Sequence, residues 1–253
     1  MNSQLLSRRY GQLFVLERPA AAAGTPATIV LAHGFGANAF DLAPLADQID
    51  PDRTMRWLFP QAPTSLAEAA GHSGITVQDD NPEVGRAWFP RTSVEISAAL
   101  TGNYFGDIAA QDPPTLAVAA EELLAATSEA TGGDNSLAGV VLGGFSQGAM
   151  VATEAVLRGT GTPDGLVVLS GNPVAFVRWK ELAGSYQKRH EGRSVRYFQS
   201  HGTSDPLLSY QSARNLNEIL TGAGFIGEFH HFPGGHWIPN EVIWPLSEFL
   251  LSM

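Results

Sequence analysis

Six short apolar runs, each opening into a Gly- or Pro-bearing loop, recur with helix-prone stretches between them, and this alternation most narrows the fold. The runs are 28–32 (Thr-Ile-Val-Leu-Ala, then His33-Gly34), 55–59 (ending at Pro60), 140–142 (into Gly143-Gly144), 166–169 (into Ser170-Gly171), 195–198 (leading to His201-Gly202) and 226–232 (into Pro233-Gly-Gly235). Continuous apolar runs suit strands covered by helices on both faces. Helices are expected over 115–131, 147–158, 209–221 and 241–251, the last turning Trp244, Phe249 and Leu250 towards the body. Residues 13–16 are expected to add an edge strand. Alternating strands and helices predict an α/β fold with a mostly parallel central sheet and helices on both faces.

A chain of 253 residues can bury a core without disulfides or metal. It has no cysteine, which excludes a thiolate nucleophile and a thiolate zinc site. A formal net charge of -10 repels phosphate backbones, so nucleic acid is not an expected partner. No apolar stretch reaches the roughly 18 residues of a membrane span, and no apolar segment follows Arg8-Arg9 as in a secretory leader. The expected address is the cytoplasm. No linker composition marks a boundary, so residues 1–253 are expected to form one domain. An irregular excursion over 64–112, with a short helix near 94–100, is positioned to cover the active site.

The strongest chemical signal is Gly144-Phe-Ser146-Gln-Gly148, lying between an apolar strand and an Ala/Met-rich helix. Gly-x-Ser-x-Gly in that setting marks a sharp strand-to-helix turn that exposes a nucleophilic serine. The helix beginning there aims unpaired N–H groups at developing negative charge. A serine hydroxyl is a weak nucleophile until a base takes its proton and an acid orients that base. In this architecture acid and base follow the serine in that order. His236, in the Gly-rich loop after the last strand, is the best base; His230 and His231 fall inside that strand, and His190 lies in a charged helical stretch. Asp205, just past the fifth run, is the acid, whereas Asp164 precedes its strand and belongs at the opposite edge. Oxyanion donors supply about 3 kcal/mol each, and the backbone N–H groups of Gln147 and Phe35 are the candidates. His33 reads as a loop-fixing hydrogen-bond partner.

His33-Gly-Phe-Gly-Ala-Asn, Phe59-Pro-Gln-Ala-Pro63, Gly144-Phe-Ser-Gln-Gly-Ala149, and His201-Gly with Asp205 and Gly235-His236 together resemble the phospholipase/carboxylesterase family. That family includes bacterial carboxylesterases and acyl-protein thioesterases, and the matches run in order over almost the whole chain. The resemblance implies an α/β-hydrolase fold without cofactor or metal. It maps nucleophile, acid and base to Ser146, Asp205 and His236, with Phe35 and Gln147 as oxyanion donors. The chain departs from the family where Trp88-Phe89 is followed by Pro90-Arg91 rather than by an acidic residue.

The expected activity is hydrolysis of a small-molecule carboxylic ester or thioester through an acyl-enzyme. Trp88, Phe89 and Trp237 are candidates for the acyl pocket, and each also suits plain core packing. Two other readings stand beside this one: a non-catalytic binding module on the same fold, and a serine acyltransferase passing the acyl group to an acceptor other than water. The oligomeric state is open, a homodimer included.

Overall fold

The computed structural model describes residues 5–253 apart from 22–23, 25–26, 67–82, 92–96, 98–100, 102–107, 134 and 191. Its main sheet takes β1 (Leu6–Tyr10), β2 (Leu13–Arg18), β3 (Thr28–Ala32) and β4 (Arg56–Pro60) from the first third of the chain. A small ribbon of β5 (Thr64–Ser65) and β6 (Arg86–Ala87) stands apart. β7 (Val140–Phe145), β8 (Gly165–Leu169), β9 (Arg196–Gly202) and β10 (Ile226–Phe232) complete the sheet. The α-helices lying wholly within the described residues are α1 (Ala43–Ile49), α2 (Pro114–Ala130), α3 (Gln147–Arg158), α4 (Phe176–Arg189), α5 (Tyr210–Gly222) and α6 (Asn240–Leu251).

The sheet order is β1-β2-β4-β3-β7-β8-β9-β10. From β4 to β10 every pairing is parallel, and β2 and β1 add antiparallel strands beyond β4. β3 and β8 are buried at every position, because helices cover both of their faces. One face packs on α2, α3, α4 and α5 through residues such as Leu123, Val151, Trp179 and Leu216. The other packs on α1 and α6 through Ala46, Trp57, Val242 and Leu246. Both edges are polar where water meets them: Arg8 and Arg9 on β1, Glu228 on β10, which discourages edge-to-edge pairing.

Two expectations need correction, and one element is additional. The run at 13–16 is not the edge, because β1 pairs outside it with a mostly polar sequence that gives no apolar signal. Helix α1, only seven residues long, was not expected. Trp244 is 70% exposed, since α6 turns Val242, Leu246, Phe249 and Leu250 inward and a residue two beyond Val242 lies on the far side of the helix. The short helix expected at 94–100 lies outside the described residues apart from Ser97, as does most of the 64–112 excursion.

The chain leaves β3 towards β4 on one side and leaves β7 towards β8 on the other. The crevice beyond the carboxyl ends of β3 and β7 is therefore the switch point of the sheet, where such folds bind ligands.

Candidate active site

Ser146 follows β7 directly and holds φ 53° and ψ −118°, a conformation that costs a non-Gly residue about 1–3 kcal/mol. The surrounding structure enforces it. The Ser146 N–H donates to the Leu169 carbonyl at 2.8 Å, extending the ladder between β7 and β8, and α3 begins at the next residue. A side chain at Gly144 or Gly148 would run into the backbone of Ala32, so this turn closes on β3 only with glycine at both places. A Cβ at Gly34 would lie 3.4 Å from that of Ser146, which brings the loop after β3 against the serine.

His236 and Asp205 arrive from the loops after β10 and β9, which are stitched together. The N–H groups of Thr203 and Ser204 donate to the carbonyls of Phe232 and Gly234, each at 2.9 Å. His236 Nδ1 lies 2.7 Å from Asp205 Oδ2, and its Nε2 lies 2.9 Å from Ser146 Oγ. Asp205 is 2% exposed. Burial alone would push its carboxyl up. The hydrogen bond and charge of His236, with the N–H groups of Leu208 and Leu207 at 2.9 and 2.8 Å from Oδ1, outweigh this and hold it below the usual carboxylate range. An ionised carboxylate only accepts, so Nδ1 of His236 carries the proton and Nε2 faces the serine hydroxyl as a lone pair. The arrangement can take a proton from Ser146 and support the cation that forms.

Gln147 opens α3, where the first N–H groups have no partner within the helix. Its side chain does something the sequence did not disclose. Its Oε1 accepts from the Trp88 N–H and its Nε2 donates to the Phe89 carbonyl, both at 2.8 Å. Trp88 in turn donates from Nε1 to the His33 carbonyl at 2.9 Å. The rings of Trp88 and Phe89 are 1% and 0% exposed and sit within the core, so these residues meet the site through backbone and indole N–H rather than as an open wall. Trp237 is 53% exposed and lies over Gly234 and Gly235, against Phe232.

The loop of Phe35 is fixed from both sides. His33 donates from Nδ1 to the Gly34 carbonyl at 2.8 Å and accepts at Nε2 from the Ala62 N–H at 3.1 Å; burial pushes its pKa down to about 4, so the ring stays neutral. Gly36 donates to the Arg86 carbonyl at 2.9 Å, and Gln61 bridges the Ala39 N–H to the Val84 carbonyl. The described part of the excursion thus braces the loop after β3. Two of the rival histidines stand elsewhere: His230 pairs with Glu228 at 3.1 Å on β10, and His190 ends α4 beside Thr162. Among the described residues no three His, Asp or Glu side chains converge as a metal would require.

Comparison with known proteins bears on the fold and the family. The chain is 25% identical over 236 residues to a probable carboxylesterase of Oryza sativa subsp. japonica, covering 91% of this chain and 79% of that one. Over 96 residues it is 32% identical to acyl-protein thioesterase 1 of Debaryomyces hansenii, 38% of this chain and 39% of that one. A carboxylesterase from Mesorhizobium loti superposes over the full length of both chains with a TM-score of 0.68 at 19% identity, which establishes a shared fold. The family model described as phospholipase/carboxylesterase matches residues 19–253, and the chain belongs to that α/β-hydrolase family.

Proposed function

We propose that this protein cleaves carboxylic esters or thioesters of small molecules, with Ser146 as nucleophile, His236 as base and Asp205 as the acid that orients it. Membership of the phospholipase/carboxylesterase family makes it a hydrolase of the ester-cleaving class. The assignment of residues rests on one observation, the continuous chain of contacts from Asp205 through His236 to Ser146 at 2.7 and 2.9 Å.

As Oγ of Ser146 attacks the substrate carbonyl carbon, its proton passes to Nε2 of His236. Asp205, ionised and buried, stabilises the imidazolium without taking the proton. The oxyanion is held by the N–H groups of Gln147 and Phe35, at the start of α3 and in the loop braced by His33. Collapse expels the alcohol or thiol, which leaves with the proton from His236. Water then gives a proton to Nε2, attacks the acyl carbon and restores Ser146 as the carboxylic acid departs. Trp237, the exposed aromatic beside His236, is the pocket residue we carry forward for contact with the acyl or leaving group. Residues 1–253 are taken as one domain in this reading, and the cytoplasm as its place of action.

A fluorophosphonate probe together with p-nitrophenyl and thioester substrates of graded acyl length tests the proposal. Expected are covalent labelling of Ser146, located by mass spectrometry, and turnover of at least the short esters. Folded protein that neither labels at Ser146 nor releases acid would instead favour the binding module. Acyl transfer to added alcohols or amines in preference to water would favour the acyltransferase.

A further inference from the structure

A second imidazole is packed on the acid. His201 lies at the carboxyl end of β9 and is fully buried. Its Nε2 is 2.9 Å from the Leu208 carbonyl and 3.4 Å from Asp205 Oδ2. A carbonyl oxygen only accepts, so Nε2 must carry the hydrogen. The other nitrogen, Nδ1, is buried with no hydrogen-bond partner, which a bare lone pair tolerates better than an N–H would. Burial also pushes the ring towards its neutral form, against the pull of the Leu208 carbonyl and Asp205.

The contacts close a loop. Leu208 donates its N–H to Asp205 Oδ1 and gives its carbonyl to His201, while the His201 N–H also faces Asp205 Oδ2. The turn over 205–208 is therefore gripped at both polar ends of Leu208. Slackening that turn would shift the two N–H donors on Oδ1, rotate the carboxylate and take Oδ2 out of line with the Nδ1–H of His236.

We propose that His201 is a positioning residue for the acid: its Nε2–H clamps the 205–208 turn so that Asp205 keeps one oxygen aligned on His236. The assignment rests on the triad proposed above. It assigns His201 no contact with substrate and no proton transfer.

Two substitutions separate this role from plain core packing. His201→Phe keeps a ring and removes the donor. His201→Gln places an amide Nε2–H near the position of the imidazole N–H. Both are assayed for kcat and KM on a short p-nitrophenyl ester, for melting temperature, and by proton NMR for the low-field resonance of His236 Nδ1–H. His201→Phe is expected to lower kcat by up to about 100-fold with KM unchanged, as a small misplacement of catalytic groups does. It should also shift the low-field resonance upfield or broaden it, and His201→Gln should restore most of both. If the phenylalanine variant does not fold, His201→Asn, too short to reach Leu208, replaces it with the same expectations. Equal kcat for the donor-bearing and donor-free variants, or a low-field resonance indifferent to position 201, would overturn the proposal. The resonance reports on Asp205 and His236 without turnover, so this failure is distinct from an absence of esterase activity.

Discussion

Two adjacent strands of the sheet end in the same way and come to different chemical ends. Ser146 follows β7 at φ 53°, and Ser170 follows β8 at φ 49°. Each donates its backbone N–H to the next strand at 2.8 Å, Ser146 to Leu169 and Ser170 to Ser200. Both are buried, at 7% and 1% exposure. Yet the Ser146 hydroxyl meets an imidazole, while the Ser170 hydroxyl has no hydrogen-bond partner among the described residues. The turn after β7 runs at once into α3, whereas α4 begins only at Phe176. Backbone strain and burial are therefore shared by these two strand ends. What separates the two serines is an imidazole brought in from the loop after β10 and a helix that starts at the next residue.

The sharpest way to break the contrast is to remove the hydroxyl that meets the base. Ser146→Ala should lower ester-hydrolysis kcat by about 10⁶-fold, the scale seen when a triad nucleophile is deleted. The melting temperature should hold or rise, because alanine occupies the same backbone and, among the described residues, the lost hydroxyl bonds to His236 alone. Steady-state kinetics beside a thermal melt reads both. Activity surviving in a folded variant would move the nucleophile elsewhere and erase the distinction between the two turns.

Next in size is the acid. Asp205→Asn keeps the shape but offers an amide to His236, so the ring no longer needs its proton on Nδ1 and presents the wrong tautomer to Ser146. The expected loss in kcat is about 10⁴-fold. Fluorophosphonate labelling of Ser146 should slow in parallel, since both reactions need the same lone pair on Nε2. A variant that labels at the unaltered rate would show that His236 is oriented by something other than Asp205.

The residues of this constellation were legible from sequence for a definite reason. The proposed nucleophile, acid and base each follow a strand, and apolar runs ending in glycine or proline reveal strand ends. Chain order then restricts acid and base to the right places. The sheet was legible on the same signal wherever strands are buried on both faces, and illegible at β1, whose three central residues, Ser7, Arg8 and Arg9, all face water. The clamp of Gln147 on Trp88 and Phe89, and the contact of His201 with Asp205, span 59, 58 and 4 residues of chain. Even the short separation gave no cue, because the partner of a buried side chain is set by which loops pack together, not by local spacing. Trp88 and Phe89 suggested a pocket for the same reason: an aromatic pair in an irregular stretch looks alike whether it faces ligand or core.

Ser170 gives the smallest expected effect and bears most directly on the comparison. Its hydroxyl is buried without a partner, and a buried polar group left unsatisfied costs stability. Ser170→Ala removes that group while keeping the backbone N–H that bonds Ser200, so the folded state should gain up to about 1 kcal/mol. Urea unfolding measures the gain as a rise in midpoint at constant slope. Hydrolysis should proceed as in the parent, because no described contact joins this hydroxyl to Ser146, His236 or Asp205. A fall in kcat comparable to that of His201→Phe would show that the second turn serves the first, and the two strand ends would have to be read as one site.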